Sequence, residues 1–170
     1  MVPHRILDYL DANDVPYFVR SHPRAVSAQY LAEALHVSGY EIAKTIVFEA
    51  DGKRWIGVLP GVTRFNPAAV SELLHAHDVR ILREEEFHPH FPDCELGAEP
   101  PFGGLFSLPV LMDTSLRQFD RIFVRGGTHE DAIELWTADY EWLERPRPGE
   151  FSTAPGREAY PAQSGYGATP

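Results

Sequence analysis

Apolar residues recur along this chain with two different periods, and the switches between them mark its elements. Ile6, Leu7 and Leu10 form a helical stripe, closed by the turn signal Asn13-Asp14 ahead of Pro16. Residues 15–20 then read as a short strand. Ser27 is placed to cap a helix over 28–35, with Leu31, Ala34 and Leu35 on one face. Residues 44–49 and 55–59 are strand-like and flank Asp51-Gly52, the signal for a tight hairpin. Asn66-Pro67 opens another helix, whose buried side is Val70, Leu73 and Leu74. Strands follow at 79–82, 108–112, 121–124 and 132–136. A last helix begins near Thr137 and carries Tyr140, Trp142 and Leu143. The mixture, with a hairpin at its centre, predicts an α/β fold in which helices wrap a mixed sheet, not a doubly wound parallel one.

The pattern stops after Glu144. Residues 146–170 hold five prolines and four glycines and no Leu, Ile, Val or Met. Such a segment buries too little apolar surface to offset its ordering entropy. The chain therefore divides into one folded domain, residues 1–145, and a Pro/Gly-rich tail, residues 146–170, disordered or laid loosely on the surface. At 170 residues a second core is not expected. A hydrophobic share of 44% and an aromatic share of 12% exclude a disordered body. No apolar run approaches the roughly 20 residues that cross a bilayer. The first residues are too short and too charged for a secretory signal. Cys94 is the only cysteine, which leaves no internal disulfide. A soluble cytoplasmic protein is expected.

Charge narrows the picture further. Fifteen basic residues against 25 acidic ones give a net charge of −10, which opposes non-specific binding to DNA or RNA. A nucleic-acid partner has to be held at a local site. Lys44 and Lys53 are the only lysines, beside 13 arginines, so each merits a separate reading.

Most motifs of catalysis are missing. His75 and His77, and the group His88, His90, Asp93 and Cys94, contain metal-ligand residue types, but Pro89 and Pro92 break the strand geometry that an i, i+2 pair needs. No metal site is expected. Asp93 and Glu95 flank Cys94 and disfavour its thiolate. There is no G-x-S-x-G elbow and no phosphate-binding G-x-x-x-x-G-K-[ST] loop. Three stretches remain. In Ile42-Ala43-Lys44-Thr45-Ile46-Val47-Phe48 a lysine stands at the mouth of an apolar strand, either functional or snorkelling to water. In Gly97-Ala98-Glu99-Pro100-Pro101-Phe102-Gly103-Gly104 prolines stiffen a loop whose bare backbone suits close approach by a ligand, or an ordinary turn. In Gly126-Gly127-Thr128-His129-Glu130-Asp131 a strand ends in a flexible turn bearing a histidine, which is either functional or merely a cap.

Taken together and in order, Ala43-Lys44-Thr45-Ile46-Val47, the G-x-x-x-P-F-G loop from Gly97 to Gly103 and Gly126-Gly127-Thr128-His129 resemble the YbaK / prolyl-tRNA synthetase-associated editing-domain family, as a free-standing member. The resemblance runs from about His4 to Leu143. It implies a twisted mixed sheet, partly barrel-like, with helices around it. It also implies hydrolysis of the ester of mischarged aminoacyl-tRNA, alanine or another small amino acid on proline tRNA, as a part of translation quality control. By the same resemblance Lys44, Gly97 and His129 are the catalytic set. Thr45, Pro101, Phe102, Gly103, Gly127 and Thr128 bind substrate. Thr45 matches the cysteine-clearing branch and His129 the alanine-clearing branch. No cofactor is implied. The partners implied are the acceptor end of aminoacyl-tRNA and a prolyl-tRNA synthetase, with no membrane.

The implied chemistry suits these residue types. An aminoacyl ester is already activated, so the site has to orient the carbonyl, admit water and stabilise an oxyanion, without a nucleophilic side chain. Backbone N–H groups near Gly97 suit the oxyanion, and Lys44 supplies a point charge for the terminal phosphate or the substrate end. His129 fixes the aminoacyl group or the water, and the terminal ribose hydroxyl of the tRNA acts as internal base. Two rivals stand beside this reading: a non-catalytic adaptor of the same fold that binds tRNA or a synthetase, and a metal-dependent hydrolase using His88, His90 and Cys94.

Overall fold

The computed structural model describes residues 1–154. Helix α1 (His4–Ala12) buries Ile6 and Leu10 and ends at Asn13, before Asp14 turns the chain at a φ of 55°. Strand β1 (Phe18–Ser21) starts two residues beyond Pro16, later than the apolar pattern predicts. Helix α2 (Ala28–Leu35) is capped as expected, the Ser27 side chain accepting the N–H of Tyr30 at 3.1 Å.

Strands β2 (Ala43–Ala50) and β3 (Lys53–Pro60) form the central hairpin. Its two turn residues, Asp51 and Gly52, have φ of 50° and 80°. Positive φ at both positions matches the turn to the right-handed twist of the strands. The Asp51 carboxylate also accepts the backbone N–H groups of His77 and Asp78. This fastens the hairpin to the chain that follows β4 (Arg64–Phe65) and α3 (Pro67–Leu74). Strand β5 (Val79–Ile81) pairs with β2 there, and α4 (Glu84–Phe87) and α5 (Gly103–Phe106) are short helices in the connection beyond.

Strand β6 (Val110–Asp113) then lies parallel to β3, with Met112 opposite Val58. Strands β7 (Arg121–Thr128) and β8 (Asp131–Trp136) form a second hairpin, to which β1 adds antiparallel. Helix α6 (Thr137–Glu144) closes the body. Besides a two-stranded pairing that includes β4, two larger sheets result, β5-β2-β3-β6 with a fifth strand described below, and β1-β8-β7. One parallel bridge, Ile42 to Phe123, joins the two sheets. The mixed α/β architecture is the expected one; the sheet is not closed, so the barrel-like part of the expectation reduces to this single seam. Among the described residues no helix is long and apolar enough to cross a membrane.

Two expectations are corrected. The strand predicted at 121–124 runs on to Thr128, with an irregularity in register between Arg125 and Thr128. Gly126 and Gly127 therefore belong to the strand, and only His129 and Glu130 turn the chain. The second correction concerns the tail. Residues 147–153, placed outside the folded domain by their composition, carry β9 (Arg147–Gly149), parallel to β6, and β10 (Ser152–Thr153), antiparallel to β4. Phe151 between them is 1% exposed. Backbone groups along β6 and β4, the Asp113 carboxylate and the buried Phe151 ring hold this segment, without aliphatic side chains. The rest of the expected tail, 155–170, lies outside the described residues.

Candidate functional site

Where the sheets diverge from the Ile42–Phe123 bridge, the side chains leave a cavity of about 160 Å³. The start of β2 supplies Ala43, Lys44 and Thr45; the connection after α4 supplies Gly97 and Glu99; β7 supplies Arg125. The sequence-predicted residues Lys44, Thr45 and Gly97, some fifty positions apart in the chain, thus meet at one wall.

Lys44 is half-buried and donates to the carbonyl of Thr63 at 2.5 Å. Burial first, and the charge of Arg64 second, draw its ammonium below the ordinary lysine value. It is not a strand-end lysine reaching out to water. The Thr45 hydroxyl beside it is buried and finds no hydrogen-bond partner among the described residues. An unpaired buried hydroxyl is costly to the fold.

Gly97 has a φ of +85°. A Cβ there would lie 3.3 Å from Glu84 Oε1 and 3.4 Å from His129 Cε1, in a conformation that L-residues rarely adopt. Its N–H, expected free for an oxyanion, donates to Glu99 Oε1 at 3.2 Å. His129 is buried at the β7–β8 turn behind this loop. A carbonyl can only accept, so His129 Nε2 donates to the Leu96 carbonyl at 2.7 Å, and the His129 backbone N–H donates to Glu95 Oε2 at 3.1 Å. His129 Nδ1 is buried without a partner among the described residues. His129 reaches the cavity through Gly97 and is not part of its wall.

The remaining predicted residues lie away from the cavity and hold its walls. Gly127 donates to the Ala98 carbonyl at 3.1 Å and accepts from Glu95 N at 2.8 Å, tying the loop to β7. Thr128 Oγ1 donates to Asp131 Oδ2 at 2.8 Å across the turn. The Pro101 carbonyl accepts from the buried Tyr140 hydroxyl at 2.6 Å, and Phe102 packs between Tyr9 and Tyr140. Gly103 passes so close to Leu108 that a Cβ would meet its carbonyl oxygen.

Three charged residues of the site were not predicted, the exposed Glu84 and the buried Glu99 and Arg125. Glu99 is 4% exposed and accepts from Gly97 and from His88 Nδ1, both on Oε1. Arg125 is also buried and donates to the carbonyls of Ala25 (2.5 Å) and Val26 (2.7 Å), immediately ahead of the Ser27 cap. Burial pulls Arg125 down to about 10, while Glu99 acts in the opposite direction. The available signal was a charge inside an apolar stretch: Arg125 after Ile122-Phe123-Val124, and Glu99 between Ala98 and Pro100-Pro101. Of the residues weighed for metal chemistry, His88 is committed to Glu99. The buried Cys94 thiol is pushed up to about 12, by burial and then by Glu99 and Asp93. Among the described residues no three His, Cys, Asp or Glu side chains converge to hold a metal.

Known proteins resemble this chain in sequence and in fold. The sequence profile of the aminoacyl-tRNA editing domain matches residues 22–143. The uncharacterized protein YwhH of Bacillus subtilis (strain 168) is 28% identical over 123 residues, 72% of this chain and 76% of its own. Among solved structures, hypothetical protein APE2540 superposes with a TM-score of 0.79 at 20% identity, over 88% of this chain and 99% of its own. A structure described as a proposed trans-editing enzyme for prolyl tRNA synthetase superposes with a TM-score of 0.76 at 19% identity, over 89% and 96%.

Proposed function

The chain belongs to the aminoacyl-tRNA editing domain family, and on that footing we propose that it hydrolyses the ester of mischarged aminoacyl-tRNA in trans, with alanine or another small amino acid on proline tRNA as substrate. The observation that carries the reading is the cavity at the sheet seam, where Lys44, Thr45 and Gly97 come together. At about 160 Å³ it is well below the roughly 300 Å³ at which pockets for drug-sized ligands begin. It suits one small aminoacyl group. The nucleic acid is met by a local cation in a chain whose net charge of −10 repels phosphate elsewhere.

In the proposed reaction water attacks the ester carbonyl carbon, the acyl–oxygen bond to the ribose breaks, and the ribose oxygen leaves with a proton. Lys44 has three N–H donors and uses one on Thr63. The others meet the substrate end, its terminal phosphate or the developing oxyanion. Gly97 lets the ester lie against bare backbone. The Thr45 hydroxyl supplies a polar contact to the substrate. A prolyl-tRNA synthetase, whose mistakes such an enzyme would clear, is the corresponding partner.

Release of labelled amino acid from charged proline tRNA by the purified protein tests this. Alanine is expected to leave, while prolyl-tRNA stays charged. Each methylene that does not fit separates substrates by about 1–3 kcal/mol. Rates no higher than spontaneous hydrolysis for alanyl-, seryl- and cysteinyl-tRNA would refute the proposal.

His129 acts in this reading as a positioning residue for the Gly97 loop. His129→Ala removes one buried hydrogen bond, worth about 0.5–1.5 kcal/mol, so about a two- to tenfold slower rate is expected. His129→Asn, which offers an amide N–H towards Leu96, is expected to recover part of it. Equal rates for wild type and His129→Ala would make the histidine a cap of its turn only.

A further inference from the structure

The cavity wall holds a carboxylate whose bonding is only half complete. Glu99 is 4% exposed, and its two hydrogen bonds, from Gly97 N and His88 Nδ1, both fall on Oε1. Among the described residues no donor bonds Oε2. The nearby cation does not cap it: Arg125 directs its guanidinium to the carbonyls of Ala25 and Val26. Arg125 therefore balances the charge of Glu99 at a distance and leaves the second oxygen open. Oε2 is not sealed in with the rest of the side chain, so a ligand's donor can reach it from the cavity, and a charged donor brings the strongest bond.

An aminoacyl ester carries one such group, the α-ammonium next to the reacting carbonyl. The position is suitable. Gly97 N lies 3.2 Å from the Glu99 carboxylate, so a cation on Oε2 sits next to the backbone against which the proposed ester lies. Lys44 lies on the same cavity wall as a cation. Anion and cation at one small site match a substrate with an ammonium at one end and phosphate at the other.

We propose that Glu99 binds the α-ammonium of the aminoacyl group through Oε2, and so restricts this enzyme to esters with a free amine. The inference rests on the deacylase reading and adds to it a specificity-determining residue and the feature of the substrate it selects. Esters of α-hydroxy acids, and aminoacyl esters whose nitrogen is acylated, are excluded as poor substrates even where they fit.

The test uses the full-length protein and two esters of one tRNA, alanyl and lactyl. A hydroxyl replaces the ammonium at nearly the same size, which removes the charge without a steric change. Each rate is divided by the spontaneous rate of the same ester. Wild type is expected to favour the alanyl ester by about ten- to a hundredfold, the worth of one charge-assisted hydrogen bond. Glu99→Gln retains an oxygen acceptor for Gly97. It is expected to melt as wild type does, to slow on the alanyl ester and to keep its lactyl rate, bringing the ratio within a fewfold of one. Equal slowing on both esters would make Glu99 a support of the Gly97 loop and overturn the assignment. If the glutamine variant does not fold, the wild-type ratio decides alone: tenfold or more supports the assignment and a value near one overturns it. Hydrolysis of neither ester by wild type refutes the deacylase reading itself, and the assignment with it.

Discussion

Lys44→Met is expected to slow deacylation by about ten- to a hundredfold, because the cavity loses the ammonium whose charge-assisted contact is worth about 1.5–3 kcal/mol. Methionine keeps most of the length and apolar stem of the lysine, so the wall retains its shape. Stability should move the other way or not at all. Burial has lowered the Lys44 pKa in the folded state. For a base whose folded value lies below its unfolded one, the charged form costs the fold stability at neutral pH. That cost is relieved only as pH rises through the lowered value. Removing the charge removes the cost, against the loss of one bond to the Thr63 carbonyl. A melting temperature within about 3 °C of wild type is expected. Lys53 is the control: it sits at the exposed hairpin end, 5.3 Å over the Trp55 ring, and Lys53→Ala should leave the rate unchanged. A folded Lys44→Met protein with the wild-type rate would refute the role given to Lys44.

Phe151→Ala is expected to cost about 3–5 kcal/mol, the range for a large aromatic removed from a packed core. For a chain of this length that lowers the melting temperature by about 10 °C. Phe151 is 1% exposed and sits edge-on to Phe65 at 5.8 Å between ring centroids. Its neighbourhood is anchored by Asp113, whose Oδ2 accepts the N–H groups of Phe151 and Ser152, both at 2.9 Å. The Phe151 carbonyl in turn accepts from Asn66 N at 2.8 Å, just ahead of α3. The measurement is a thermal or denaturant melt, and a variant as stable as wild type would show that this packing contributes nothing.

The site divides in the same way as the fold. Lys44 and Gly97 could be singled out in the sequence because each is an exception in its surroundings: one of two lysines in the chain, and a glycine ahead of a stiff proline pair. Glu99 and Arg125 left only a weaker signal, a charge inside an apolar stretch. A buried charge looks like a surface charge until its partners are known, and those partners are backbone carbonyls, a backbone N–H and the His88 ring, none of which the sequence marks as a partner. His129 shows an intermediate case. Its presence at a turn was visible, but its direction was not; the structure turns its ring to Leu96 behind the loop.

By itself the sequence determined what depends on a few neighbouring residues: the Ser27 and Asn66 caps, the Asp51-Gly52 turn, the stripe of α1 and the mixed α/β character. Capping hydrogen bonds and positive-φ turns are satisfied within three or four positions, so they leave local signatures. The parallel pairing of β6 with β3, the single seam to β7, the two strands in residues 147–153 and the closing of a cavity around Glu99 were decided only by the tertiary structure. Those features rest on backbone groups and packed volume brought together from distant parts of the chain. A hydrogen-bonding edge accepts a segment for its C=O groups and for the N–H groups of its non-proline residues, whatever its side chains, and no periodicity in the sequence records which edge will be free.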